Sequence, residues 1–219
     1  MNIAVIGTGN VGSALGSSFS KAGHKVTFAA RDADKARTLA AGAGARAASA
    51  VDAVAGADVV VLAVPFAAIE AVAAEIVPVV AGKVVVDATN PLKPDYSGLA
   101  TAGGPSAAER LAGLLPGARV VKAFNTLFAT NQADPAGQGT TLDALFATDD
   151  DAAAAAVGEL AGSIGFRPVR VGPLAAAQEL EGLAWLNIRL QMLNGGAWAT
   201  AYVLVAPPEA AVVRAPVAA

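Results

Sequence analysis

Six residues near the amino terminus, Gly7-Thr8-Gly9-Asn10-Val11-Gly12, restrict the possible folds more than any other part of the chain. They follow directly on the apolar run Asn2 to Ile6 and open into Val11 to Ala22, a segment of helical length. A lone G-x-G-x-x-G is a weak signal; set between a strand and a helix it describes a particular turn. Gly7 permits the tight bend, Gly9 lets the backbone approach a pyrophosphate, and Gly12 lets the helix pack closely on the strand. The free N–H groups of the helix start then face the phosphate charge. A turn that is merely tight accounts for one glycine and not for three.

The pattern that follows extends this unit. Short β-branched runs recur at Lys25 to Ala29, Asp58 to Val64, Lys83 to Asp87, Arg119 to Ala123, Leu142 to Ala147 and Arg167 to Val171. They are nearly solid apolar, as strands covered on both faces must be. A weaker run at Ala45 to Ala48 supplies a third strand by position alone. Between them Ala33 to Ala41, Phe66 to Val80, Ala107 to Leu115 and a segment from Asp151 to about Gly162 read as helices, with Asp32 and Ser106 as N-caps. Alternation of this kind predicts an α/β fold: a Rossmann, doubly wound, mainly parallel sheet, here with a short C-terminal helical segment. Residues 1–172 read as the dinucleotide-binding domain. Residues 173–219 read as helical to about Val205, a helix pair broken at Gly195-Gly196, followed by a frayed Pro/Ala tail.

Composition closes other routes. With 55% apolar and 15% charged residues the chain has the means to bury a core. It has no cysteine, hence no disulfide framework, thiolate metal site or cysteine nucleophile, and we expect no metal. A formal charge of -3 gives no electrostatic footprint for nucleic acid. The stretch Ala184 to Val205 contains Asn187, Arg189, Gln191 and Asn194, too polar for a membrane span. Met1 leads straight into the first strand without a signal-like segment, so a cytoplasmic protein with no membrane partner is expected.

The residues after the second strand choose the dinucleotide. An acidic residue there suits a free ribose 2′-OH, and a cation suits a 2′-phosphate. Arg31 follows Ala30, with Lys35 one helical turn further on, and both fit a 2′-phosphate. Asp32 stands where a ribose-binding acid also fits, although an Asp before a helix is more often its cap. The cations favour NADP over NAD. In a doubly wound sheet the remaining ligand contacts come from the carboxyl ends of the strands. Those rims carry Ala63-Val64-Pro65, Asn90-Pro91 and Asn125, small or apolar walls with a few amides, as a nicotinamide ring and its carboxamide require. Both asparagines are equally compatible with plain turn capping.

Acid–base groups are scarce. The single histidine, His24, falls at the amino-terminal edge of the sheet, and no Tyr-x-x-x-Lys pair occurs. Lys122 is a possible proton donor, although a lysine inside a strand more often pairs or snorkels. No catalytic residue is assigned. This scarcity favours hydride exchange with a second redox ring over reduction of a carbonyl, which wants a positioned acid.

The chain resembles the NADPH-dependent coenzyme F420 reductases, the F420:NADP oxidoreductases, and the small dinucleotide-binding oxidoreductases related to them. The resemblance rests on the glycine loop, the pair Arg31 and Lys35, Val120 to Ala129 (VVKAFNTLFA), Asp149 to Asp151, Phe166 to Leu174 (FRPVRVGPL), Glu181 and a last helix ending Asn194-Gly195. It implies NADP(H) in the cleft, with coenzyme F420 as co-substrate, its deazaflavin ring stacked on the nicotinamide beneath the C-terminal segment. Two positions depart from the family pattern: Ala30, often serine, and Asn125, where a histidine can stand. The Lys-Ala-Phe-Asn-Thr signature is also similar to the cytosolic domain of membrane metalloreductases. A flavin or imine reductase and a non-catalytic NADP(H)-binding or redox-sensing module are the alternatives. Leu, Trp and Ala on the C-terminal segment exceed what so small a unit can bury, so a homodimer is expected.

Overall fold

The computed structural model describes residues 1–205. The elements alternate along the chain: β1 (Asn2–Ile6), α1 (Asn10–Lys21), β2 (Lys25–Ala29), α2 (Ala33–Ala43), β3 (Arg46–Ala47), α3 (Ala50–Ala55), β4 (Val59–Leu62), α4 (Ile69–Ile76), β5 (Val84–Asp87), α5 (Ala107–Leu114), β6 (Arg119–Ala123), α6 (Ala129–Ala133), β7 (Asp143–Ala147), α7 (Asp151–Ser163), β8 (Arg167–Gly172) and α8 (Ala177–Asn194). The strands form one sheet in the order β3-β2-β1-β4-β5-β6-β7-β8. All neighbours are parallel except β6 and β7, which meet antiparallel through Lys122–Ala147 and Ala123–Phe146. The strand order reverses between β1 and β4, and a crevice opens above such a switch point.

The solid apolar runs divide between two cores. Along β1, Ile3 and Val5 join Leu15, Phe19 and Phe28 on one face. Ala4 and Ile6 join Val60, Leu62, Ile76 and Leu111 on the other. Every residue of β4 and β5 is buried, as strands sandwiched between helices should be. Helix starts are capped as expected. Asp32 accepts from the Lys35 amide, and Ser106 forms a full capping box with Glu109. Asp150 caps α7 through the Ala153 amide, while Asp149 accepts from the Leu174 amide instead.

The structure corrects the expected outline in three places. The helix expected over Phe66 to Val80 is a 3-10 turn at Phe66–Ala68, then α4, then a second 3-10 turn at Val77–Val79. Pro78, with no N–H to donate, tightens that last turn. Two short helices, α3 and α6, are additions. Finally, the C-terminal helix pair is a single helix. Gly195, in the left-handed region at φ 58°, ends α8, and residues 196–205 form neither helix nor strand. Their carbonyls are bound from outside: Thr130 donates to that of Trp198, Asn131 and Asn187 to that of Thr200, and Arg167 to that of Leu204. Carbonyls satisfied by side chains are not needed for a helical ladder. The Pro/Ala tail lies outside the described residues.

Candidate functional site

At the top of β1, Gly7 takes φ +113°, and a Cβ there would lie 2.2 Å from the carbonyl oxygen of Ala63. A Cβ on Gly12 would lie 2.0 Å from the Gly7 carbonyl oxygen, so the loop closes on itself and on the end of β4. Gly9 differs: a Cβ there would meet nothing within 4 Å. No neighbour among the described residues demands glycine at that position, and the space over it is open among them. Gly9 also caps α1 without a side chain, so the amides of the first turn have no capping acceptor and the positive end of the helix dipole faces that space. Two of the three glycines close the loop, and the third leaves room.

Beyond β2, Arg31 and Lys35 are both exposed, and neither forms an ion pair among the described residues. Asp32 Oδ1 accepts the Lys35 amide at 3.0 Å, the N-cap bond of α2. It therefore serves the helix, and the cations beside it stay free to meet an anion.

Ala63 and Val64 are half-buried after β4, with Pro65 exposed. Asn90 and Asn125, after β5 and β6, clasp each other across the rim. Asn90 Nδ2 donates to the Asn125 carbonyl at 3.0 Å, and Asn125 Nδ2 donates to Asn90 Oδ1 and to the Leu180 carbonyl of α8, each at 3.1 Å. The clasp is set by Phe124, a buried residue in the left-handed region at φ 62°. Gln132 Nε2 donates to the carbonyls of Phe124 and Leu127, holding this turn in place. A bulky residue so placed costs on the order of 1–3 kcal/mol, which the surrounding bonds must offset. Asn125 Oδ1 and Thr89 Oγ1 are buried without a hydrogen-bond partner among the described residues. Unmet polar atoms cost about 1–3 kcal/mol each until something binds them.

Beneath this rim lies a group of charges. Lys122 Nζ donates to Asp87 Oδ2 at 2.9 Å and to the Thr89 carbonyl at 2.6 Å, and stands 3.0 Å from Glu181 Oε1. Those contacts use all three donors of an ammonium. Lys122 is thus a pairing lysine and has no free proton to direct at a substrate. Glu181 also accepts from the Ala107 amide at 2.9 Å, which ties α8 to the start of α5. Burial pushes the Glu181 carboxyl above its ordinary range, against the pull of Lys122. Sequence reasoning did not assemble this trio; its trace was one lysine and one aspartate inside otherwise apolar strands.

His24 sits at the opposite edge, 3.3 Å from the terminal amine and 2.9 Å from Ser163 Oγ. A groove of about 680 Å³ runs along that edge past His24, Arg46 and Asp52. None of the unpaired buried polar atoms found among the described residues lines it. No cluster of three metal-ligating side chains occurs among the described residues.

Residues 2–91 match the family model described as "NADP oxidoreductase coenzyme F420-dependent". The F420-dependent NADP reductase of Methanothermobacter thermautotrophicus is 36% identical over 211 residues, covering 89% of this chain and 90% of that protein. The chain belongs to the F420-dependent NADP reductase family. The reductase of Methanothermobacter marburgensis is 34% identical, with 89% of this chain and 94% of that protein covered. Among solved structures, a candidate F420-dependent NADP reductase from Arthrobacter sp. FB24 superposes with a TM-score of 0.84 at 30% identity, over 94% of this chain and all of that one. The family assignment agrees with the resemblance read from the motifs, and the Rossmann-like sheet agrees with the expected fold. No helix among the described residues is long and apolar enough to cross a membrane.

Proposed function

We propose that this protein transfers a hydride between NADP(H) and the deazaflavin coenzyme F420. The observation that carries the proposal is the uncapped start of α1 beneath the open space over Gly9, with the exposed cations Arg31 and Lys35 beside it, in a chain similar to F420-dependent NADP reductases over nearly its full length. In sheet order the parts run from Arg31 and Lys35 after β2, through the open space over Gly9 after β1, to the Asn90–Asn125 clasp after β5 and β6. These parts fit a phosphorylated dinucleotide in order. Gly7, Thr8, Gly9, Asn10, Val11 and Gly12 present backbone amides to the pyrophosphate. Arg31 and Lys35 take the 2′-phosphate. Ala63, Val64 and Pro65 wall the cleft, and Asn90, Pro91 and Asn125 orient the carboxamide. NADP(H), when bound, supplies the two-electron hydride chemistry. The chain's own part is to bind, orient and exclude water, consistent with Lys122 having no donor to spare.

On this reading residues 1–172 form the NADP-binding unit, and residues 173–219 cover the acceptor and provide the face of a homodimer working in the cytoplasm. The carboxyl-terminal half of helix α8 supports the homodimer, because it leaves large apolar side chains exposed while some polar ones are buried. Asn187 and Gln191 are buried, whereas Leu186, Leu190 and Leu193 are exposed.

The direct test is anaerobic mixing with NADPH and either F420 or FMN, followed through the acceptor's absorbance. Bleaching of F420 at catalytic protein concentrations is the expected result. Turnover with FMN alone would replace the acceptor, and binding without turnover on either would make the protein a sensor.

A further inference from the structure

The charge group under the rim does more than join two helices to the sheet. Asp87, Lys122 and Glu181 are at most 1% exposed, yet they comprise two carboxylates and one ammonium. Among the described residues the charged groups that act on Glu181 are both in this set, Asp87 from β5 and Lys122 from β6, with the Thr101 hydroxyl and the Ala107 amide as its neutral neighbours. Burying a surplus negative charge is expensive, and a structural clamp needs only one carboxylate per ammonium. Lys122 binds the carbonyl of Thr89, the residue before Asn90, and itself lies three positions before Asn125. The surplus therefore sits directly below the asparagine clasp.

The two redox forms of the coenzyme share phosphates, ribose and adenine, and differ in the charge of one ring. Hydride loss turns a neutral dihydronicotinamide into a cation. We infer that the Asp87–Lys122–Glu181 group sets the redox preference of the site, its surplus carboxylate favouring the oxidised, cationic coenzyme over the reduced one and so assisting hydride departure. This rests on the NADP(H) site proposed above. The sign is the same whether Glu181 is ionised or holds a proton, because a cation above the rim also promotes loss of that proton. A unit charge acting over roughly 10 Å at an effective dielectric of about 20 changes an affinity by about tenfold.

The test compares dissociation constants for NADP⁺ and NADPH in the unsubstituted protein, Glu181→Gln and Asp87→Asn. Each substitution removes one carboxylate and keeps the acceptor oxygen that binds the Ala107 or the Thr89 amide. Both variants should lose about three- to tenfold in NADP⁺ affinity relative to NADPH, with the NADPH constant nearly unchanged. Equal losses for the two forms would show a structural clamp and overturn the inference. Should one variant fail to fold, the other carries the same comparison. If the unsubstituted protein binds neither form, the site reading itself fails, a result distinguishable from an unchanged ratio.

Discussion

At the scale of single residues, the site is defined by which polar groups are already spent. One oxygen of the Asp32 carboxylate is engaged in capping α2, whereas the neighbouring Arg31 guanidinium has no ion-pair partner among the described residues. Exchanging Arg31→Glu should weaken NADPH binding by about 2 kcal/mol, near thirtyfold, from the loss of charge-assisted bonds to phosphate, and should leave NADH binding unchanged. Titration calorimetry with both coenzymes measures this, and equal losses would place the 2′-phosphate elsewhere. The same accounting separates the glycines. Methyl groups at Gly7 and Gly12 would strike backbone carbonyls, so these two are needed for the loop to close. Gly9 has no such neighbour among the described residues.

At the scale of elements, α5 and α8 meet through one carboxylate. Glu181 of α8 accepts the first amide of α5, beside the buried capping box of Ser106 and Glu109. The cap therefore stands beside the bond that joins α8 to α5 as well as supporting its own helix. Ser106→Ala should cost about 1–2 kcal/mol in urea unfolding, at the upper end for a cap because Ser106 is fully buried. No measurable change would mean that Glu181 alone holds the helix start. Residues 196–205 show the limit of local reading. Ala, Val and Leu there suited a helix, but side chains from α6, α8 and β8 occupy its carbonyls. The broken helix around α4 was similarly hidden by alanine-rich composition, although Pro78 marked its end.

For the whole molecule, the end of α8 and the turn after it leave a large apolar area in water. Leu193 is 71% exposed, Met192 49% and Trp198 44%. A second copy of this chain laid against that face would remove the apolar stripe from water. Sedimentation at micromolar concentration should show a dimer, and Leu190→Glu with Leu193→Glu should convert it to a monomer. A monomeric unsubstituted protein would rule out this assembly.

The sequence by itself determined the sheet, the glycine loop, the cations after β2 and the family, because each is written in neighbouring residues: apolar runs, fixed glycine spacing, a cap and its helix. Only the tertiary structure decided what joins distant positions. Asp87, Lys122 and Glu181 come from three elements and meet in one buried group. Asn90 and Asn125 meet across two rims because Phe124 turns the chain. The antiparallel entry of β7 and the unwinding after Gly195 belong to the same class. In each case the deciding energy is a contact between parts of the chain far apart in sequence, and local patterning carries no record of it.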